Sequence, residues 1–297
     1  MRYMDSSKKV ISLTESIAGR TGGVSQDKNR KAKTRVISIT SGKGGVGKTN
    51  IVANLGYALG RLGKKVLILD ADLGLGNLDI LLGLTPKYNF SHVISGERKM
   101  QEITVKGPGG VMILPASSGI QELAHLTKKQ AVKIFTELDL LLLGFDVLLI
   151  DTAAGISSNV MHFNSIAQEI MVVVAPEPTS MTDSYALIKV LSKKYSVKEF
   201  KLLINMALNI QEAHEVFRQL KLVVDKFLDV SIECIGYISF DENVSKGVKF
   251  QKVVSEKYPD TPASRCFESL AKKICMLPAN KMPEEDTNFF WKDFLRS

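Results

Sequence analysis

The residues whose types and spacing could carry out chemistry are concentrated in one stretch, SGKGGVGKTN, at positions 41–50. Gly42, Gly47, Lys48 and Thr49 satisfy the phosphate-loop pattern G-x-x-x-x-G-K-[ST] without a mismatch. In such a loop, consecutive backbone N–H groups point at phosphate oxygens. The lysine reaches the β- and γ-phosphates, and the threonine hydroxyl binds Mg²⁺. The stretch therefore predicts a site for a nucleoside triphosphate.

The segments on both sides of this loop have the periodicity that the motif requires. Arg35–Thr40 before it alternates and is β-branched, which predicts a strand. From Ile51 to Leu62, apolar residues recur at helical spacing. A glycine-rich turn without a ligand is the alternative, and the strand, the full motif and the helix together argue against it. The glycines at which we expect positive φ, because they lack a Cβ, are Gly44, Gly45 and Gly47.

Composition indicates a globular protein of 297 residues, 45% of them hydrophobic. The net charge of +8 would suit nucleic acid or a membrane, but residues 1–33 hold eight Lys/Arg against three Asp/Glu. The rest of the chain is only mildly basic, which weakens the case for nucleic acid. Three cysteines without C-x-x-C spacing argue against a disulfide framework. With no signal peptide and no long apolar run, we expect a cytoplasmic location.

Strand and helix patterns alternate after residue 34, which predicts one α/β domain with a doubly wound, mostly parallel sheet. The predicted strands are Arg35–Thr40, Val66–Asp70, Val111–Leu114, Phe145–Asp151, Ile170–Ala175, Phe200–Asn205 and Ile232–Ile238. The predicted helices include Lys128–Leu143, Met181–Tyr195 and Glu212–Leu228. We expect a flexible basic arm at 1–33, the domain at 34–280 and a tail at 281–297.

Two apolar strands end in aspartate, which is typical of carboxylates delivered to a metal site at the sheet edge. Asp151 closes FDVLLID and has the Walker B arrangement, in which the carboxylate holds Mg²⁺ usually through water. Asp70 closes VLILD, and Asp72 follows it. The alternatives are a cap on a strand-to-helix turn for Asp151 and a solvated acidic loop for Asp70 and Asp72.

Lys43 places a second lysine ahead of the phosphate-loop lysine, giving KGGVGKT. Together with DTAAG from Asp151 and DADLGLGNLD from Asp70, this resembles the MinD/ParA family of dimeric ATPases, which carry a deviant Walker A loop. The resemblance implies that Lys43 crosses the dimer interface to the partner's nucleotide, where a cation stabilises charge that develops during phosphoryl transfer. Within its own subunit, Lys43 has no evident role.

Further roles are implied by the same resemblance. Asp72 orients the attacking water, as a general base within hydrogen-bond reach would, and Asp70 supports the magnesium shell. The N–H of Gly155 senses the γ-phosphate, and Asn205 contacts adenine through its amide. The segment GYISFDENV from Gly236 resembles the one that walls the base.

The implied site has three groups of residues, with ATP and Mg²⁺ as cofactors. The catalytic residues are Lys43, Lys48 and Asp72. The metal residues are Thr49, Asp70 and Asp151. The nucleotide-binding residues are Gly44, Gly45, Val46, Gly47, Lys48, Thr49, Asn50, Gly155 and Asn205.

Within the family, several details resemble the FlhG group, also called FleN or YlxH, whose members control flagellar number and placement. They are Asn50, DADLGLGNLDILLGL from Asp70, and INM at Ile204–Met206. The resemblance implies an ATP-dependent homodimer that works with an FlhF-type GTPase or with flagellar assembly and transcription proteins. The nearest match to the family's N-terminal D-Q-A-x-x-L-R motif begins at Asp5 and departs from it at most positions.

The last residues, NFFWKDFLRS, predict a short amphipathic helix. At 100° per residue, Phe290, Trp291, Phe294 and Leu295 share one face, while Phe289 lies off it. Aromatic residues with basic neighbours suit a membrane interface, and the segment resembles the family's membrane-targeting helix. We therefore expect reversible association with anionic membrane. An ordinary terminal helix docked on the core is the alternative.

Three other functions remain open at this point. A MinD-type ATPase of division-site selection is disfavoured by the long basic arm. A ParA-like partition ATPase that binds DNA would need a basic surface on the core. An adaptor that binds nucleotide but barely hydrolyses it can be separated from an ATPase only by kinetics.

Overall fold

The computed structural model describes residues 34–72, 77–115 and 128–279. The predicted basic arm at 1–33 lies outside these residues. So does the predicted C-terminal helix, with its apolar face of Phe290, Trp291, Phe294 and Leu295. The domain boundaries drawn from the sequence therefore remain predictions.

Eight strands form a single sheet in the order β3-β4-β2-β5-β1-β6-β7-β8. The strands are β1 (Arg35–Ser41), β2 (Val66–Ala71), β3 (Val105–Lys106), β4 (Met112–Leu114), β5 (Val147–Ala154), β6 (Glu169–Val174), β7 (Glu199–Ala207) and β8 (Ser231–Ser239). All neighbours pair in parallel except the short edge strand β3, which is antiparallel to β4. The predicted fold class, a doubly wound and mostly parallel α/β sheet, is confirmed.

The helices connect these strands. They are α1 (Lys48–Arg61), α2 (Leu78–Leu81), α3 (Phe90–Ile94), α4 (Met100–Ile103), α5 (Lys128–Leu142), α6 (Ser158–Ile166), α7 (Pro178–Tyr195), α8 (Ile210–Phe227), α9 (Glu242–Lys249), α10 (Val254–Lys257) and α11 (Pro262–Met276), with a 3₁₀ turn at Pro108–Gly110. Among the helices of the described ranges, none combines the length and the apolar character needed to cross a bilayer.

Apolar packing on both faces of the sheet explains why the central strands are uninterrupted apolar runs. In β2, Val66 and Ile68 join the cluster beneath α1 and α11, whereas Leu67 and Leu69 join the cluster beneath α3, α4 and α5. The period-2 alternation of a strand thus sends successive side chains into two different cores. Each fully buried aliphatic side chain stabilises the fold by about 1.5–3 kcal/mol.

The structure differs from the predicted elements in two instructive places. β5 does not end at Asp151 but runs on to Ala154, because its pairing with β1 resumes after an irregularity, at Ser41 and Ala154. The prediction also omits α11, although Ala263, Phe267 and Leu270 already have the spacing of an amphipathic helix and are buried. Helical periodicity in the sequence would have found this element.

A buried ion cluster joins the first strand to the last helix at the edge of the sheet opposite the phosphate loop. Arg35 makes a two-point contact with Glu169, with N–O distances of 2.6 and 2.9 Å, and Lys201 reaches the same carboxylate at 2.5 Å. Arg35 also donates to the carbonyls of Ile274 and Leu277, the latter at 2.9 Å. Burial opposes ionisation of Glu169, but the hydrogen bonds and charges of Arg35 and Lys201 prevail and lower its pKa.

We predict that Glu169→Gln lowers the free energy of unfolding by about 3–5 kcal/mol at pH 7, because two buried cations lose their carboxylate. The pKa of Glu169 in the folded protein lies below its ordinary value of 4.5. The contribution of Glu169 to the free energy of unfolding is therefore present above pH 4.5, and it is lost as the pH falls through the pKa of the folded protein. Urea unfolding of parent and variant should show a difference in the free energy of unfolding at pH 7, and this difference should become smaller below about pH 4.5.

The matched control is Glu233→Gln, which changes an exposed glutamate on β8, two strands away from Glu169. Exposed charges contribute about 0–1 kcal/mol, so this variant should unfold close to the parent. Equal unfolding of Glu169→Gln and Glu233→Gln would contradict the stabilising role of the cluster.

Candidate functional site

The phosphate loop lies between β1 and α1 at the carboxyl edge of the sheet. β1 stands between β5 and β6, where connections diverge to the two halves of the sheet, and ligands of doubly wound folds bind at such a point. Gly45 and Gly47 have φ of 79° and 87°, as predicted, whereas Gly44 does not adopt positive φ. Gly42 is required for a different reason, because a Cβ there would lie 2.1 Å from the backbone carbonyl carbon of Asp183.

Lys48 opens α1, and its side chain is buried in the loop. Its Nζ donates to the hydroxyl of Ser41 at 2.9 Å, and that hydroxyl donates to the carbonyl of Lys43 at 2.7 Å. Burial lowers the pKa of Lys48, while the charges of Asp151 and Asp72 oppose the shift. The ammonium group is therefore held at the helix N-terminus, where an anion binds most favourably.

Asp151 and Thr49 provide the oxygen atoms that a metal ion would need. Asp151 is 1% exposed, and its carboxylate accepts a hydrogen bond from the hydroxyl of Thr49. Its Oδ1 is buried without a hydrogen-bond partner. Burial, together with the charge of Asp70, raises the pKa of Asp151 to about 8. An orphaned carboxylate oxygen beside a threonine hydroxyl fits Mg²⁺, which takes oxygen ligands.

The other two predicted aspartates lie next to Asp151. Asp70 stands opposite Asp151 in the register of β2 and β5, and it accepts hydrogen bonds from the N–H groups of Asp72, at 3.2 Å, and Leu78. Burial raises the pKa of Asp70 to about 6, and those two N–H groups oppose the shift. The charge of Asp72 acts on Lys48, Asp70 and Asp151, so the structure brings all three aspartates together.

A complete metal cage is not built by the protein alone. Across the described residues, no group of three or more His, Cys, Asp or Glu side chains is arranged to hold a metal ion. Mg²⁺ usually binds through one or two carboxylates, several waters and the phosphates of a substrate. The arrangement therefore fits an ion that arrives with a nucleotide.

Gly155, the expected sensor of the γ-phosphate, is engaged elsewhere in this structure. Its N–H donates to the carbonyl of Ser41 at 2.9 Å, and its φ is 91°. A Cβ at this position would meet no atom within 4 Å, so glycine is required here for its backbone conformation. Because one N–H cannot serve both acceptors fully, contact with a phosphate requires the bond to Ser41 to be given up.

Asn205 lies where β7 meets the phosphate loop, and its amide nitrogen donates to the carbonyl of Val46 at 2.8 Å. A Cβ on Gly47 would lie 2.5 Å from that nitrogen, so this close approach also requires glycine. Beside Asn205 is a cavity of about 110 Å³, which is also lined by Asn50 and Met206. The contact of Asn205 with adenine stays a prediction.

The opposite wall of this cavity includes part of the segment from Gly236 that resembles the family's base-lining segment. Residues Ile238 to Asp241 and the α9 residues Val244, Ser245 and Val248 line it. Phe267, from α11, completes the cavity and was not predicted. It belongs to no nucleotide motif, and only the folding of α11 against α1 brings it here.

Lys43, for which the sequence shows no evident role in its own subunit, has partners there. Its Nζ forms an ion pair with Glu177 and donates to the hydroxyl of Thr179 at 2.9 Å. Both partners lie at the start of α7. No spacing rule links Lys43 with residues 134 and 136 positions away, so sequence reasoning had no signal for this contact.

Comparison with known proteins agrees with this geometry. The ParA family model, described as NUBPL iron-transfer P-loop NTPase, matches residues 32–275. The Antiactivator FleN of Pseudomonas aeruginosa is 45% identical over 256 residues, which cover 86% of this chain and 91% of FleN. The Flagellum site-determining protein YlxH of Helicobacter pylori is 32% identical over 272 residues, which cover 90% of this chain and 92% of YlxH.

A solved structure of the septum site-determining protein MinD of Pyrococcus horikoshii in complex with Mg-ADP has a similar fold. The TM-score is 0.65 and the identity 25%, with 82% of this chain and 96% of that chain covered. The family model spans the phosphate loop and the three aspartates. The chain therefore belongs to the MinD/ParA family of P-loop ATPases, in which it is similar to FleN and YlxH.

Proposed function

We propose that this chain is an ATP-dependent dimerisation switch with slow, Mg²⁺-dependent hydrolysis, and that it regulates the number and placement of flagella. The observation that carries the enzymatic part is the buried Oδ1 of Asp151, which has no hydrogen-bond partner. The carboxylate lies near Thr49 and Lys48. The observation that carries the flagellar part is the 45% identity with FleN over most of both chains.

Each part of the site has a distinct task in the proposed reaction. Lys48 and the N–H groups of the phosphate loop bind the phosphates, and Asn205 and its cavity bind the base. Thr49 and Asp151 hold Mg²⁺, with Asp70 behind them. Bound Mg²⁺ neutralises charge that develops on the phosphates. Asp72 orients the attacking water and accepts its proton.

Lys43 couples hydrolysis to dimerisation in this proposal. In the single chain it is held by Glu177 and Thr179. In the ATP-bound dimer it exchanges them for the phosphates of the partner copy, where its charge stabilises the transition state. The contact is half-exposed on both sides, so the exchange breaks an ion pair that contributes little to stability.

The names of the relatives support a proposal for the biological partner. FleN is named an antiactivator and YlxH a flagellum site-determining protein. We infer that this chain acts on an FlhF-type GTPase or on flagellar assembly or transcription proteins. Division-site selection is the second candidate, supported by the fold shared with MinD at 25% identity. The higher identity with FleN favours the flagellar role.

Iron transfer, which the matched family model names, finds no support in this chain. Cys234 lies in β8, and Cys266 and Cys275 lie in α11, without C-x-x-C spacing. An iron–sulfur cluster is held by converging thiolates. The described residues contain no cluster of metal-binding side chains.

We predict that Asp72→Ala retains ATP binding but slows hydrolysis by about 10²–10⁴-fold, which is the loss expected for a general base. Binding of a fluorescent ATP analogue and release of phosphate measure the two properties separately. Asp225→Ala, at an exposed aspartate of α8, is the control and should hydrolyse ATP like the parent. Hydrolysis by Asp72→Ala at the parental rate would remove Asp72 from this role.

A second prediction concerns the oligomeric state. With a slowly hydrolysed ATP analogue the parent should be a dimer by light scattering, and with ADP a monomer. Lys43→Ala should remain a monomer with both nucleotides, because it lacks the cation that reaches the partner's phosphates. Lys64→Ala, which removes an exposed lysine in the loop after α1, should dimerise like the parent. Dimers that persist in ADP would refute the switch.

A third prediction concerns the tail, which lies outside the described residues. Four large side chains on the predicted apolar face should give a single copy weak, reversible membrane binding. Two copies on an ATP dimer form a bivalent anchor, and avidity rises by about 10²–10⁴-fold. Liposome sedimentation should therefore detect attachment with ATP and release with ADP.

Phe294→Glu should abolish this sedimentation and leave ATP hydrolysis in solution unchanged. Phe289→Glu introduces the same charge at a position off the predicted apolar face, and it should sediment with ATP like the parent. Equal loss in both variants, or none in Phe294→Glu, would show that the apolar face does not bind membrane.

A further inference from the structure

Gln251, in the turn after α9, contacts a distant part of the site. Its φ is 55°, in the left-handed region that residues other than glycine rarely adopt. Its side chain leaves the turn, and Nε2 donates to the carbonyl of Ile80 in α2 at 3.0 Å, across 171 residues of sequence. A Cβ on Gly83 would lie 3.1 Å from the Cβ of Gln251, so the two segments are in direct contact.

The other end of α2 contacts Asp70, one of the three aspartates of the site. The N–H of Leu78, the first residue of α2, donates to the carboxylate of Asp70. Leu78 is fully buried, so this end of the helix is fixed by packing as well. The short helix α2 thus connects Gln251 at one end with Asp70 at the other.

On its own side, Gln251 is attached to the wall of the base cavity. Val244 and Val248 of α9 line that cavity, and the N–H of Gln251 donates to the carbonyl of Val248 at 2.9 Å. The turn is tight, because a Cβ on Gly247 would lie 2.8 Å from the carbonyl oxygen of Lys252. A displacement of α9 would therefore carry Gln251 with it.

A second contact holds the same segment against the phosphate-loop helix. The buried Asn54 of α1 accepts a hydrogen bond from the N–H of Ser255, in α10, at 3.2 Å. Its amide nitrogen donates to the carbonyl of Asn50, a cavity residue, at 2.8 Å. Residues 242–257 therefore touch the base cavity and α1, and Gln251 extends their contacts to α2.

We propose that Gln251 is a positioning residue that couples occupancy of the base cavity to the aspartates of the magnesium site. When a base fills the cavity and fixes α9, the hydrogen bond from Gln251 to Ile80 fixes α2, and Leu78 then fixes Asp70. The inference rests on the proposed function, since it takes the cavity beside Asn205 as the base site. The base then contributes to the hydrolysis rate and not only to affinity.

Hydrogen exchange on the full chain tests the coupling with Gln251→Glu. This variant keeps the shape of the side chain but cannot donate to a carbonyl while it is ionised. In the parent, ADP should slow amide exchange in α1 and also at residues 78–82. In Gln251→Glu, the protection of α1 should remain, and the added protection at 78–82 should fall by about 2–10-fold, the net worth of one hydrogen bond.

Two controls separate coupling from general destabilisation. Lys252→Ala changes the next residue of the same turn, whose Nζ contacts Glu256 at 3.1 Å, and it should behave like the parent. Gln251→Gly lacks the donor and has no left-handed strain, so it should lose the protection even if Gln251→Glu folds poorly. Pyrophosphate at saturation, which has no base, should protect α1 in the parent but not residues 78–82.

Steady-state kinetics give a second readout. Gln251→Glu should lower kcat for ATP by about 2–10-fold with little change in KM, because the base still binds. Full ADP protection at 78–82 in both Gln251 variants would overturn the inference, and so would equal protection by pyrophosphate and ADP in the parent. Absence of any ADP protection of α1 in the parent would overturn the proposed function, and this inference with it.

Discussion

Burial of the Asp151 carboxylate is the constraint on which the rest of the site depends. A charged group taken out of water is unfavourable unless it is paired, and here burial raises the pKa of Asp151 to about 8. Thr49 and Lys48 offset part of that cost, and one oxygen is left without a partner. The folded chain therefore holds a carboxylate at a place where an added positive charge would stabilise it. A cation that binds together with a nucleotide would supply that charge.

The order of the strands assembles this environment from distant parts of the chain. Because parallel strands end at one edge, β2 and β5 deliver Asp70 and Asp151 side by side, and β1 delivers the phosphate loop next to them. The strands on the other side of β1 contribute Asn205 and, through the start of α7, Glu177. One half of the sheet thus supplies the carboxylates, and the other half supplies the groups that contact the loop.

The features that could be predicted from the sequence are those that depend on residues close together in the chain. The strands, the loop glycines and the aspartates have local signatures, since periodicity and short motifs express backbone preferences and chemistry within a few residues. The partners of Lys43, the approach of Phe267 to the cavity and the bond from Gln251 to Ile80 depend on contacts between residues far apart in the chain. No spacing encodes such contacts. The extension of β5 to Ala154 likewise depends on its pairing with β1.

The contacts of Arg35 have a consequence for how the protein is made. The residue emerges early from the ribosome, yet two of its acceptors are the carbonyls of Ile274 and Leu277, 239 and 242 residues later. A nascent chain can pair Arg35 with Glu169 long before those carbonyls exist. The guanidinium group can therefore complete its hydrogen bonds only when synthesis is nearly finished. A chain that ends before residue 277 lacks the hydrogen bond from Arg35 in the first strand to the carbonyl of Leu277.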